Sequence, residues 1–418
     1  MRLMMAGRLN RRRRDWLQGL GRLGEKLSMP VYLVGGPVRD LIMGCPDLDT
    51  DISVAGDALE FARRLADRDM ACIVTHPEFQ SATVTYADGK HLDVVATRSE
   101  TYVQPGALPC VEHADIAQDL KRRDFTINAI AMDLRPRSFG QLLDPYAGYE
   151  HLRQGLLRAL HQRTFIDDPT RILRAARFAM RLGLRTDGPT EQWLKTAAAD
   201  NVLATVSPQR IVTELRYLLA EPTARWALAL LEQWGVLQHL GLSGVHSRLH
   251  LLDDLLRAQA DLAITADGSV LTAATLGLLL QPDQLEQWLA VWPLTRDEQK
   301  AARQAAVLVH QPPEVVFSTS PESSTLYIGL RGSVSAALLA GWAAGNLNVR
   351  RNLKRYHRQL ADVEADVTGT DLVALGYRPG PPFTAALDAA LRAKLDDGAD
   401  REKQMAAAVH VLQNSDTP

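Results

Sequence analysis

The 418-residue chain has only three cysteines, Cys45, Cys72 and Cys110, too scattered for a disulfide frame or a metal knuckle. Such usage is expected of a reducing cytoplasm. It has no apolar run of about 18 residues, so no transmembrane helix is expected. The start, MRLMMAGRLNRRRRDW, is basic but has no apolar stretch behind it, and a secretory signal is not expected. An excess of charge is missing too. The formal net charge is −2, so a polyanionic partner would have to be held by local basic patches rather than by the field of the whole molecule. Three patches stand out, at 11–14, at 121–123 and through 350–358, although each alone reads as a solvated face. No fixed-period repeat is present. What remains is an ordinary globular composition, 46% hydrophobic and 23% charged, on a chain long enough for two to four domains.

The texture changes near residue 150. Before it, helical and strand periodicities alternate. An amphipathic helix at 16–28 precedes VYLVGG, a β-branched run ending on a glycine pair, which reads as a strand and a tight turn. VRDLIMG reads as a short helix closed by Gly44, DLDTDISVAG as a second strand and 56–69 as a helix. ACIVTH, SATVTYA and HLDVVATR read as further strands. This mixture predicts a small α/β head built on one sheet. Beyond 150, Leu- and Ala-rich helical spacing dominates. Pro- and Gly-bearing breaks fall near 187–189, Pro222, 241–244, 312–313 and 378–382. The expected division is an N-terminal helical extension (1–28), a catalytic head (29–150), a helical neck (151–235), a helical body (236–345) and a helical tail (346–418).

The strongest chemical signal is LVGGPVRDLIMGCPDLDTD at 33–51. Asp49 and Asp51 are two apart on a predicted strand and so share a face. Paired carboxylates repel unless a cation sits between them, and oxygen-only ligands select Mg²⁺, commonly held by one or two carboxylates plus substrate phosphates. Nucleotidyl transfer needs that arrangement. Gly35 and Gly36 let backbone approach a triphosphate, and Arg39, one turn into the following helix, is placed to pair with it. An Asp-x-Asp or a glycine pair matches by chance when alone. The whole series of strand, glycine pair, Arg-Asp helix, Gly and Asp-x-Asp is hard to explain as packing. Asp47 falls in the Pro-bearing loop. Asp93, in HLDVVATR, is the candidate third carboxylate, the alternative being a surface residue.

In KRRDFTINAIAMD (121–133), two arginines precede an expected helix start. Arg123 is a candidate phosphate clamp, and Asp124 and Asn128 are candidates for orienting loops or meeting a sugar. The alternative is a capped helix with a basic flank. In DDPTRILRAARF (167–178), Asp168, Arg171, Arg174 and Arg177 recur every three residues on an expected helix, with Leu173, Ala175, Ala176 and Phe178 on its other faces. An Asp–Arg pair can read a base edge: the carboxylate accepts from an exocyclic amine and the guanidinium donates to the adjacent ring acceptor. Cytosine and adenine both offer that pattern; uracil and guanine do not. Judged alone, the segment also fits an exposed salt-bridged helix.

In order and spacing, LVGGPVRDLIMG…DLDTD, KRRDFTINAIAMD and DDPTRILRAARFAMRLGL resemble the class II tRNA nucleotidyltransferases and the related bacterial poly(A) polymerases. The resemblance covers about residues 29–235 and continues more loosely to TGTDLVALGYRPGPP, which resembles a tail segment of that family. It implies an α/β nucleotidyltransferase head, a polymerase-β-like mixed sheet with helices, followed by an all-α neck, body and tail. It also implies that Asp49 and Asp51 bind Mg²⁺, and that Gly36, Arg39 and Arg123 bind the nucleoside triphosphate. Asp168 and Arg171 would then serve as the protein template for the incoming base, with Arg174 and Arg177 lining the same site. The family's template motif usually begins with Glu, where this chain has Asp167.

Residues 245–320 resemble the HD-type phosphohydrolase domain of some members, but Leu280-Gln281 stands where the His-Asp pair is expected. His246 and His250 alone make a poor metal centre, so this block is expected to serve as scaffold. The implied activity is addition of C, A or both to the tRNA 3′ end from CTP and ATP, with full CCA addition as the first expectation. A-only, CC-only and poly(A) addition are the alternatives. The long stretch 98–119 favours retained ATP use, and no extended basic tail favours a poly(A) polymerase. A non-catalytic RNA-binding protein is opposed by the intact Asp49/Asp51 pair, and a phosphohydrolase by Leu280-Gln281.

Overall fold

In the computed structural model, which describes residues 5–45 and 50–415, Ser81–Thr85 and His91–Ala96 keep alternate residues buried while Val31–Val34 is buried throughout. The difference reflects what covers each strand. Val31 and Leu33 enter one apolar cluster with Leu17, Leu20, Phe61 and Leu65, whereas Tyr32 and Val34 face a second with Leu120 and Ala131. Side chains of period two therefore place apolar residues on both faces of the central strand. Burying side chains the size of Leu or Phe is worth about 1.5–3 kcal/mol each, and this cluster anchors the head.

The elements run α1 (Arg11–Lys26), β1 (Val31–Val34), α2 (Gly36–Met43), β2 (Asp51–Val54), α3 (Ala58–Asp69), β3 (Cys72–His76), β4 (Ser81–Thr85) and β5 (His91–Ala96). A two-stranded arm, β6 (Arg98–Thr101) and β7 (Cys110–His113), precedes α4 (Ile116–Lys121), β8 (Ala131–Asp133) and β9 (Leu142–Leu143). Among the described residues the head sheet has seven strands in the order β3-β4-β5-β2-β1-β8-β9. Its one parallel neighbour pair is β2 and β5, and this sets Asp51 directly opposite Asp93. The mixed sheet and the helical remainder agree with the expected fold class.

Local chemistry moved several boundaries. Helix α1 starts at Arg11 rather than 16, because Asn10 caps it by accepting from Arg13 N at 2.9 Å. Strand β2 begins at Asp51; Asp47 and Asp49 lie outside the described residues. No α-helix starts within 121–133. A 3-10 turn at Thr126–Asn128 leads straight into β8, because Ile130 and Met132 are claimed by the sheet core. The neck follows as α5 (Gly148–Arg153), β10 (Leu156–Leu157), α6 (Thr164–Asp167), α7 (Thr170–Arg181), β11 (Arg185–Thr186), α8 (Gly188–Ala199), α9 (Pro208–Leu219) and α10 (Ala224–Gln233). Asp168 precedes α7 rather than riding on it, since Pro169 stands at the N-cap and the Asp168 carboxylate accepts from Thr170 N at 3.1 Å.

The chain divides into two compact units, Met1–Leu240 and Gly241–Pro418. The second is helical. Its main core joins Leu251–Leu262, Gly268–Leu279, Arg296–His310, Ser335–Ala344 and Leu347–Arg355. Gly277 allows two of these helices to meet, since a Cβ there would lie 2.1 Å from Ala302 O. Leu280 is buried, and Gln281 caps Pro282–Val291. His246 lies in a 3-10 turn and His250 just before Leu251–Leu262. Much of the basic stretch 350–358 is tied down within this unit: Lys354 meets Asp261 at 2.6 Å, Arg355 donates to Pro321 O at 2.8 Å, and Arg358 donates to Asp261 O at 2.7 Å. No single helix among the described residues is long and apolar enough to cross a membrane.

Candidate active site

Strand β1 is followed by Gly35, whose φ of +69° is open to glycine at little cost. A Cβ at Gly35 would lie 2.6 Å from the Arg123 guanidinium, so the residue also makes room for that arginine. Helix α2 then carries Arg39, 4% exposed, which donates to Asp40 Oδ1 and Asn128 Oδ1, each at 2.7 Å. Two arginines from the N-terminal segment hold the residues on either side of 43–49. Arg8 donates to the Ile42 carbonyl, and Arg13 donates to Thr50 Oγ1 at 2.9 Å.

From Arg39 a buried polar chain crosses from head to neck. Asn128 Nδ2 donates to Asp124 Oδ1 at 2.9 Å, and Arg174 donates to Asp124 Oδ2 from Nε at 3.0 Å and from Nη2 at 2.7 Å. Arg174 also reaches Glu214 at 3.4 Å, and Glu214 meets Arg177 at 3.5 Å. Burial pushes the Asp124 carboxyl up, but Arg174, Arg171 and the Asn128 amide outweigh it and hold the group down at about 2. Burial works against charge on Arg174 as well, yet Asp124 and Glu214 raise its pKa. Phe178, expected on one of the other faces of α7, lies among these arginines: Arg39, Arg174 and Arg177 stand 5.3, 5.2 and 4.9 Å from its ring centroid.

A second network fixes the other phosphate-clamp candidate. Arg123 donates to Asp119 Oδ2 at 3.0 Å, while Arg122 holds Asp119 Oδ1 and Glu100 Oε1, both at 2.8 Å. Burial would raise the Asp119 carboxyl, but Arg123 and Arg122 bring it below the usual range. At the start of α7, Asp168 Oδ1 accepts from Arg210 at 2.8 Å, and Arg171 Nε stands 4.0 Å from Asp168 Oδ2. The Arg171 guanidinium donates to Thr164 Oγ1 at 2.7 Å and to Arg122 O at 2.8 Å.

Gly35, Gly36, Arg39, Asp51, Arg123, Asp168, Arg171, Arg174 and Arg177 all line one cleft of about 840 Å³. Asp93 lines an adjoining hollow of about 370 Å³ that shares Asp51, Arg122 and Arg123 with the cleft. Thr83 Oγ1 donates to Asp93 at 2.6 Å and fixes the carboxylate. Asp49, the other proposed metal ligand, falls outside the described residues. Sequence reasoning missed Glu100, Tyr102, Asp119, Phe178, Arg210, Glu214 and Tyr217. Of these, the pair Arg210/Glu214 had a usable signal, being one helical turn apart. The rest reach the site only through the fold.

Residues 31–158 match the family described as Poly A polymerase head domain, and 184–242 match the probable RNA and SrmB-binding site of polymerase A. Fold and cleft together define a polymerase-type nucleotidyltransferase head joined to a helical neck. An A-adding tRNA nucleotidyltransferase of Halalkalibacterium halodurans is 36% identical over 381 residues, 89% of this chain and 87% of that protein. The chain belongs to the tRNA nucleotidyltransferase family. An A-adding relative from Geobacter sulfurreducens is 33% identical over 96% of this chain, which spans 47%, about half, of that protein. A CC-adding relative from Deinococcus radiodurans is 40% identical over 53% of this chain and 58% of its own length. Among solved structures, a Thermotoga maritima CCA-adding enzyme complexed with tRNA shares the fold at a TM-score of 0.75 and 27% identity, covering 99% of this chain and 100% of that one.

Proposed function

We propose that this chain adds C and A to the 3′ end of tRNA from CTP and ATP without a nucleic-acid template, giving CCA addition. The observation that carries the reading is the shared cleft, where Gly35, Gly36, Arg39 and Arg123 on the head adjoin Asp168 and Arg171 on the neck. The glycine turn and the two arginines take the triphosphate, with Arg39 and Arg123 held in place by Asn128 and Asp119. Asp168 accepts from the exocyclic amine of C or A. Arg171 exchanges its bond to the Arg122 carbonyl for the neighbouring ring acceptor. The RNA 3′-hydroxyl attacks the α-phosphorus in line, and pyrophosphate leaves.

Asp49 and Asp51 would hold Mg²⁺, an oxygen-only pair suited to that ion, with Asp93, in register with Asp51 on the parallel neighbouring strand, as the third carboxylate. When bound, such an ion neutralises triphosphate charge and lowers the pKa of the attacking hydroxyl. Thr83 keeps the Asp93 carboxylate aimed while Arg122 and Arg123 border the same hollow.

A-only addition is the second reading, favoured because two relatives matching 89% and 96% of this chain carry that name. One assay separates them. tRNAs ending before the first C, after one C and after two are given CTP, ATP or both with Mg²⁺, and the products are sequenced. CCA on the shortest tRNA supports the first reading. A alone, on the CC-ended tRNA only, establishes the second. Asp49→Ala is expected to abolish incorporation while leaving tRNA binding largely intact; full activity in that variant would remove both.

A further inference from the structure

The head sheet is open at one end. β3 (Cys72–His76) pairs with β4 along five residues and, among the described residues, no strand lies on its other side. An edge strand presents a row of unpaired amides and carbonyls, and proteins blunt such rows with charge, proline, bulges or brevity. The other open edges of this head follow that rule. β9, at the far end of the sheet, has two residues, and the arm strands carry Arg98 and Glu100 on β6 and Glu112 on β7. β3 instead reads Cys-Ile-Val-Thr-His, with no Lys, Arg, Asp, Glu or Pro, and its pairs with β4 run without a bulge.

Ile73 packs against the head core, so period-two alternation turns Cys72, Val74 and His76 to the opposite face. That face is uncovered: Val74 is 57% exposed, and Cys72 and His76 are exposed as well. The bounds of the strand limit how another strand can be added. Pro77 follows directly and has no N–H, while Met70, two residues before Cys72, has a left-handed φ of +50°. An antiparallel copy of β3 itself fits between them. In such a pair a residue whose bonds point outward must meet another of the same kind, so a copy can shift only in steps of two. With Val74 on the two-fold axis all five residues pair: Cys72 with His76 of the copy, Ile73 with Thr75, and Val74 with its own equivalent. The next register one way sets Pro77 against Ile73, and the next the other way sets Met70 against His76. The full register faces no charge with a like charge.

We infer that β3 is the interface of a homodimer, in which two copies of this chain pair antiparallel through Cys72–His76 and join their head sheets across a two-fold axis. The contact is isologous and closes at two copies, because each head has one such edge to give. A five-residue ladder is about 17 Å long at ~3.4 Å per residue, a small contact, so the dimer is weak and reversible. Neither the cleft nor its proposed chemistry takes part in it.

The test is sedimentation equilibrium of the full chain from about 1 µM to about 500 µM, a range that brackets weak association. The wild-type protein is expected to pass reversibly from monomer to dimer within it. Val74→Lys brings two ammonium groups together on the axis and should raise the dimer Kd at least about tenfold. Circular dichroism should not change, because the side chain is exposed. A second readout fixes the register. In a background of Cys45→Ser, Cys72→Ser and Cys110→Ser, all exposed positions, Val74→Cys sets two thiols opposite each other. Their Cα atoms would lie about 4.5–5.5 Å apart, within disulfide range. Mild oxidation should then give a covalent dimer, whereas Leu347→Cys, at a still more exposed position of the second unit, should stay largely monomeric. A monomer at every concentration overturns the inference and leaves the edge to a strand of another protein. A dimer that tolerates Val74→Lys also overturns it, by placing the interface elsewhere, as does a Val74→Cys variant that crosslinks no faster than Leu347→Cys.

Discussion

The two units of this chain bury different chemistry. In Met1–Leu240, six charged side chains are buried among the described residues: Arg39, Asp119, Asp124, Asp133, Arg171 and Arg177. In Gly241–Pro418 Glu298 alone is, and it serves as half of a capping box with Thr295. Buried ion pairs seldom stabilise more than well-packed apolar residues would, so a concentration of them marks a place where charge has a use. The first unit keeps guanidinium groups in fixed positions around an open cleft. The second packs Leu and Ala against each other and gains its order from close helix contact. Electrostatic placement and apolar scaffolding are separated along one chain.

The largest test of that contrast removes a charge at the reacting centre. Asp51→Ala is expected to cut nucleotide incorporation by at least about 10²–10³-fold with circular dichroism unchanged, the scale of losing a group that acts on transition-state charge. Wild-type turnover in that variant would detach the cleft from the chemistry. Next comes Asp124→Ala, which leaves the part-buried Arg174 beside Glu214 without its main partner and removes a carboxylate that is itself buried. A loss of about 3–5 kcal/mol is expected in urea unfolding of the first unit. A loss under about 1 kcal/mol would mean that water or Glu214 compensates the charge, weakening the contrast.

The complementary change belongs to the second unit. Gly277→Val pushes a side chain into the Ala302 carbonyl and should cost about 1–3 kcal/mol, while nucleotide KM stays at its wild-type value wherever the protein is folded. A changed nucleotide KM would show that the scaffold is not separate. Smaller still is the acid response. The Asp124 carboxyl titrates at about 2 in the folded protein against an ordinary 3.8, so its stabilisation is fully present above pH about 4 and is lost as pH falls toward 2. Urea midpoints of the first unit should fall across that window, and Asp124→Asn should flatten the fall. The smallest effect expected is that of Arg13→Ala, which removes the hydrogen bond to Thr50 beside Asp51. About 0.5–1.5 kcal/mol and a several-fold lower kcat are expected, with Arg13→Lys partly restoring turnover.

Legibility differed between local and non-local features. Gly35, Gly36 and Arg39 were readable because a strand, a turn and a helix N-terminus are encoded within ten consecutive residues. Arg171, Arg174 and Arg177 were readable because helical spacing puts them on one face. The same reasoning did not put Phe178 in the cleft, since spacing says which face a residue takes and not what a neighbouring helix brings to it. The expected helix in 121–133 failed because the sheet recruited Ala131–Asp133, a tertiary demand that overrides local propensity. The basic runs at 11–14 and 350–358 looked alike in sequence. Arg13, Arg14, Lys354, Arg355 and Arg358 nevertheless donate to atoms of the protein itself.

By itself the sequence determined the order of chemistry along the chain: a glycine turn with an arginine, a carboxylate strand, then an Asp–Arg segment suited to C and A. Those features depend on periodicity and turn chemistry over a few residues. Only the tertiary structure decided that they share one space. The parallel pairing of β2 with β5 sets Asp93 beside Asp51, forty-two positions away in sequence. The Arg39–Asn128–Asp124–Arg174–Glu214 chain links head to neck, and α9 brings Tyr217 to the cleft. Buried polar groups must find partners wherever the fold brings them, and no spacing rule in the sequence says which partners those are.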